Sequence, residues 1–129
     1  MQLVWIGVFG VMGVYSRYFL GSWLSVQLSF FFPYATLLIN VLGCFLAGVV
    51  YVLGIEHVSF SPEIRSAIMV GFLGGFTTFS AFGLEVTRLI EETEYSYAAV
   101  YLGLSCILGI GAVFAGLIFT RFLLGSSSV

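Results

Sequence analysis

The sequence predicts an all-α membrane protein of four transmembrane helices, with a break in the third. Composition and the spacing of charges predict the helices, and one glycine- and threonine-bearing stretch predicts the break. Of 129 residues, 60% are apolar and only 8% are charged. Mean hydropathy is far above that of a soluble domain. A helix needs about 20 mostly apolar residues to cross the hydrocarbon core. Open strands cannot cross, because every backbone donor and acceptor must be satisfied internally.

The charges mark the segments. Lys and Asp are absent, and no charged residue lies between Arg17 and Glu56, between Arg65 and Glu85, or between Glu94 and Arg121. These gaps give spans at about 3–24, 34–55, 65–88 and 96–122, a single four-span membrane domain over 1–129. The first span lacks a basic start and is too long for the apolar core of a secretory signal, so it is expected to be retained. The connections Ser25 to Pro33, Glu56 to Pro62 and Leu89 to Tyr95 are too short for a soluble domain. Cys44 and Cys106 fall inside spans, where a thiol behaves as a small hydrophobe. With His57 they do not make a metal site.

Orientation follows the Lys and Arg content of the two sides. Arg65 and Arg121 lie toward the side of the termini, Arg17 and Arg88 toward the other, and the count is balanced. Two readings stay open: some other feature decides insertion, or the protein inserts both ways. In the second case two opposed copies can pair about a two-fold axis in the membrane plane. A four-helix monomer encloses little, so a dimer is expected in either case. Gly71 with Gly75, Gly43 with Ala47, Gly111 with Ala115 and Ala112 with Gly116 are spaced for close helix association.

No acidic residue lies at mid-depth, where proton-coupled carriers usually place a carboxylate. Glu85 is the nearest and is expected to pair with Arg88 at the end of its helix. Asn40, in TLLINVLGC, must be hydrogen-bonded to sit in hydrocarbon. Its amide either bonds a neighbouring helix or offers N–H donors to a passing solute without trapping it. Thr36 shares its face four residues earlier, and Tyr101, Ser105 and Gly109 share a face of the fourth span. Each is either helix-to-helix glue or part of a wet path.

The stretch GFLGGFTTFSAFG, residues 71–83, completes the pattern. Gly74 and Gly75 are poor helix formers and Thr77 and Thr78 are β-branched, which marks a break. Irregular backbone at membrane depth is tolerated where it is buried in protein or lines a cavity, and its freed carbonyls can coordinate a cation. Phe79 and Phe82 project from one face beyond it. Such a pair usually packs, but ring edges are positive and can attract an anion.

These residues resemble a known family. GFLGGFTTFSAF, Asn40 in TLLINVLGCFLAG, the Arg17–Tyr18 pair and Glu85 after the phenylalanines are similar to the Fluc family of microbial fluoride channels, over all four spans. The resemblance implies a passive, fluoride-selective channel of the cell membrane, not an enzyme. It implies an antiparallel, dual-topology homodimer with two pores and a central structural sodium ion. Carried over by position, the carbonyls of Gly74 and Thr77 would hold the sodium. Asn40, Phe79 and Phe82 would contact fluoride. Ser80 follows the break within the motif, and Tyr101 and Ser105 would join the polar path; Thr36 is placed with them by its spacing from Asn40, and Arg17, Glu85 and Arg88 are expected to be structural. The partners are then a second copy, fluoride and the bilayer, with no nucleic acid. Ala81 and Gly83 stand where the family pattern would carry hydroxyl residues, so a hydroxyl contact between the phenylalanines cannot be transferred. The competing classes are a four-span proton-coupled exporter of small cations or drugs, which calls for a glutamate in the first span, and a non-transporting assembly subunit.

Overall fold

The computed structural model describes residues 1–28, 31–57 and 60–125, so 29–30 and 58–59 of the first two connections lie outside the described residues. Every regular element among the described residues is helical. Four helices are long and apolar enough to cross a membrane: Gln2–Gln27, Tyr34–Glu56, Pro62–Glu91 and Tyr95–Leu123. The first is α1 (Gln2–Gln27). The second is α2 (Tyr34–Tyr51) followed by a π-helical turn at Val52–Glu56. The third comprises α3 (Pro62–Ser66), a π-helical stretch at Ala67–Leu73, α4 (Gly74–Phe76) and α5 (Phe79–Glu91). The fourth is α6 (Tyr95–Leu123).

Local signals explain the ends. α3 begins with Ser61, whose hydroxyl accepts from the Ile64 N–H at 3.4 Å, followed by Pro62 and Glu63. A hydroxyl cap, an early proline and an acidic first turn all favour a helix start. α5 continues to Glu91, so the acidic run contributes only Glu92–Glu94 to the connection. The closure explains the extra turn. The Glu94 N–H reaches Leu89 O at 2.8 Å and the Thr93 N–H reaches Ile90 O at 3.0 Å, with Thr93 at φ 63. This is the Schellman arrangement, with a threonine in the left-handed position that glycine usually fills.

The chain runs up and down, with α2 against α6 and α1 against the first half of the third span. Backbones meet at glycines. A Cβ on Gly71 would lie 2.6 Å from Ile6 O, and one on Gly75 would lie 2.7 Å from Gly10 O. The Gly71–Gly75 pair is therefore used inside the chain, against α1. Gly48 and Gly116 face each other so closely that a Cβ on either would meet backbone of the opposite helix, whereas Gly111 has open space. Gly48→Val is expected to cost at least about 1–3 kcal/mol of stability by overpacking this crossing. Thermal unfolding in detergent checks it: the midpoint should fall for Gly48→Val and stay put for Gly111→Ala, and equal midpoints would place the α2–α6 crossing elsewhere.

Phe32, Leu37, Phe82, Val86, Leu89, Ala98 and Tyr101 form the buried cluster. It sits where α2 begins, α5 ends and α6 begins. α1 buries only Gly13 and turns apolar side chains such as Phe19 and Trp23 outward. The arginines divide between the two ends of the bundle. Arg17 and Arg88 line one cavity at the buried cluster. At the other end, Arg65 donates to Gly54 O at 3.5 Å, and Arg121 grips the Glu56 carboxylate with two nitrogens, Nε at 3.0 Å. The Arg121–Glu56 clamp ties the second span to the fourth. Neither local spacing nor helix periodicity revealed it.

Candidate functional site

Between α4 and α5 the backbone leaves the helix. Thr77 has φ −85 and ψ 160, and Thr78 has φ −150 and ψ 115. Thr77 stays tied to the preceding turn, with both its N–H, at 3.0 Å, and its hydroxyl, at 2.9 Å, donating to Leu73 O. Thr78 finds its partner on α2. Its N–H donates to Asn40 Oδ1 at 2.8 Å, and its carbonyl accepts from Asn40 Nδ2 at 3.0 Å. The Asn40 carboxamide thus takes the place of a peptide unit, and the direction of the Thr78 N–H fixes which way the amide is turned. The interhelical bond, one of the two readings open for Asn40, is present. Only one of its two Nδ2 hydrogens is used in it.

The same geometry bears on Gly74. In an unbroken helix its carbonyl would accept from the Thr78 N–H, which is here committed to Asn40. Gly74 is exposed, and a Cβ there would meet nothing within 4 Å. Thr78 also caps α5, its hydroxyl accepting from the Ala81 N–H at 3.2 Å and lying 3.3 Å from Ser80 Oγ.

Phe79 and Phe82 touch, with centroids 5.5 Å apart at 47°, but differ in setting: Phe79 is 83% exposed and Phe82 is 8% exposed. Phe82 points into the bundle, where it meets the Tyr101 ring at 5.0 Å and 66°. Phe79 points out of it, toward lipid or another chain.

One expectation is overturned. Glu85 does not pair with Arg88. Its Oε1 accepts from the Thr36 hydroxyl at 2.6 Å and its Oε2 from the Tyr101 hydroxyl at 2.7 Å. Arg88 instead meets Glu92 at 3.2 Å, one turn on along the exposed face of α5. At i,i+3, Arg88 lies near the same face of the helix as Glu85. Glu85, however, turns into the cleft, where two hydroxyl donors from α2 and α6 converge. Thr36 and Tyr101, on different helices, are thus brought together by the Glu85 carboxylate.

Ser105, one turn beyond Tyr101, is half-buried, and its Oγ is buried with no hydrogen-bond partner among the described residues. Gly109 follows on the same face, with Cys44 Sγ 3.6 Å from its built Cβ. The tyrosine–serine–glycine face of α6 is therefore turned inward. Ser80 stays at the exposed start of α5. Arg17 lies well inside α1, which runs on to Gln27, and it lines a cavity of about 630 Å³. Thr36, Thr78, Ala81, Glu85 and Arg88 share that cavity. It leads from the end of the bundle to Thr78, and Asn40, Phe79, Phe82, Tyr101 and Ser105 are not among the residues that line it.

Together these features define a small, multi-pass membrane protein, helical in every regular element among the described residues, in which a cavity lined by polar and apolar side chains runs down to a non-helical point in the third span. The chain belongs to the CrcB-like protein family, Camphor Resistance (CrcB), whose sequence model matches residues 4–117. It is 41% identical over 122 residues to a "Fluoride-specific ion channel FluC" of Desulforapulum autotrophicum, covering 95% of this chain and 98% of that protein. A Hahella chejuensis protein of the same name is 42% identical, covering 95% of this chain and 97% of its own length. One from Acidithiobacillus ferrooxidans is 46% identical over 113 residues, covering 86% and 89%.

Proposed function

We propose that this protein is a passive, fluoride-selective channel of the plasma membrane that lets fluoride leave the cytoplasm down its electrochemical gradient. The observation that carries the reading is the Asn40 amide bonded into the backbone at Thr78, with an N–H to spare, beside the Phe79–Phe82 pair. An uncharged N–H and the positive edges of aromatic rings bind an anion weakly enough to release it. Near-complete coverage of relatives named fluoride-specific channels supports the choice of ion. Thr36 and Tyr101 would hand their hydroxyl hydrogens from Glu85 to a passing fluoride and back, and Ser105 would extend the path along α6.

The working form is an antiparallel homodimer with two pores. The division of arginines, Arg65 and Arg121 at one end and Arg88 with the more deeply set Arg17 toward the other, supports insertion in both orientations, and the outward Phe79 would reach the pore lined by its partner copy. The break then has a second role. The Gly74 carbonyl, freed from its helical donor on an exposed residue, and the carbonyl of Thr77 would hold a structural sodium at the two-fold axis, where the ion would supply charge to hold four carbonyl oxygens together.

Added arginines in the loops of one side should force one orientation. Activity should then disappear unless an oppositely biased copy is expressed with it, and a single biased form that still works would exclude the antiparallel dimer. In a bacterium deprived of its own fluoride exporter, the wild-type chain should restore growth on fluoride, most clearly in acidic medium. Absence of protection by a membrane-inserted chain would count against the function itself.

A further inference from the structure

We propose that Phe32, on the connection between α1 and α2, is a positioning residue that holds the Tyr101 hydroxyl on Glu85. It rests on placing Tyr101 in the ion path, but its geometry stands separately. Phe32 is 7% exposed, although its neighbour Phe31 is 42% exposed and Tyr34 is 42% exposed. Its backbone is held by a tight turn, in which the Tyr34 N–H donates to Phe32 O at 2.8 Å across Pro33. The ring meets Tyr101 at 5.4 Å and 73°, on a residue that Phe82 also meets, at 5.0 Å and 66°.

Tyr101 is thus gripped by two rings in tilted edge contacts, one from α5 and one from the connection, and its own side chain is 0% exposed. A tyrosine ring has two torsions. Once packing fixes both, the oxygen can occupy one place, which is 2.7 Å from Glu85 Oε2. Without Phe32 the ring would face the 630 Å³ cavity that Phe32 lines, with room to tilt away from the carboxylate. The first connection therefore sets the geometry of a group on α6.

Reconstituted dimers of Phe32→Leu, Phe32→Tyr, Tyr101→Phe and the Phe32→Leu/Tyr101→Phe double variant test this by fluoride efflux. Phe32→Leu should lower the rate roughly three- to tenfold, the equivalent of one lost edge contact between rings. Phe32→Tyr, which keeps the ring, should remain within about twofold of wild type by the same measure. With the hydroxyl already gone in Tyr101→Phe, adding Phe32→Leu should change the rate by less than about twofold, because the two positions act as one unit. A wild-type rate for Phe32→Leu, or an undiminished loss in the Tyr101→Phe background, would overturn the proposal.

A second readout does not depend on transport. The Tyr101 hydroxyl proton, sheltered on a carboxylate, should give a slowly exchanging resonance that Tyr101→Phe deletes, Phe32→Leu broadens and Phe32→Tyr preserves. If Phe32→Leu leaves that signal unchanged, the positioning role fails whatever the channel does. If the signal responds as expected while wild-type protein moves no fluoride, the positioning role stands and the channel reading fails.

Discussion

Asn40→Ala and Asn40→Asp are both expected to stop fluoride efflux, and they should separate two jobs that one side chain performs. Asn40→Ala removes both partners of Thr78 and leaves an N–H and a carbonyl at mid-span. Each unpaired group costs about 1–3 kcal/mol when buried, reduced where water from the adjoining cavity can replace the amide. A lower thermal midpoint should accompany the lost rate. Asn40→Asp keeps an acceptor for the Thr78 N–H, so it should hold the fold better than alanine. It gives up the donor and sets a carboxylate in the path of an anion, which adds electrostatic repulsion where dielectric screening is weak. Asn40→Asp that is folded, dimeric and silent to fluoride is the expected result. Full efflux from either variant would reduce Asn40 to a strut.

Tyr101→Phe and Glu85→Ala should have the next largest effects, and they should differ in kind. Tyr101→Phe retains a ring that is 0% exposed and gripped by Phe32 and Phe82, and Glu85, whose Oε2 it leaves without a donor, lines the cavity, where water can replace the hydroxyl, so most of the stability should hold. The loss of a hydroxyl donor from the path should slow efflux by about tenfold or more, a barrier change of about 1.4 kcal/mol. Glu85→Ala leaves the Thr36 and Tyr101 hydroxyls without their acceptor. That variant should lose both rate and stability, the latter by about 1–3 kcal/mol for the buried Tyr101 hydroxyl and less for Thr36, which lines the cavity. Efflux rates set beside unfolding midpoints check both. Equal losses of stability would mean that the tyrosine hydroxyl is only structural.

Much of the architecture was legible because charges are so few. With no charged residue between Arg17 and Glu56 or between Glu94 and Arg121, the chain declares where it can be immersed in lipid. Asn40 was legible as a group that must be bonded, since an amide at that depth cannot be left alone. Its partner was not: Thr78 lies 38 residues away and becomes a partner only because its backbone is extended.

The carboxylate shows why the rest stayed hidden. Glu85 and Arg88 are one turn apart, so local spacing favoured pairing them. The hydroxyls that won come from residues 36 and 101, on helices whose lateral order no single segment records. Once those donors were present, Arg88 was free for Glu92 at i,i+4. Phe32 was hidden differently. It lies in a connection, and connections are expected on the surface, yet its ring is buried against α6. The only trace was the run of phenylalanines before Pro33, in a chain with 14 of them.

The most direct test of the central claim is fluoride efflux from liposomes loaded with potassium fluoride, read by electrode with and without a potassium ionophore, and repeated with chloride. A passive fluoride channel releases fluoride quickly once the ionophore carries the compensating charge, stays nearly silent without it, needs no pH gradient and leaves chloride inside. Efflux that requires a proton gradient would point to the coupled exporter. Release of chloride as fast as fluoride, or no fluoride release above empty liposomes, would contradict a fluoride-selective path through Asn40, Phe79, Phe82 and Tyr101.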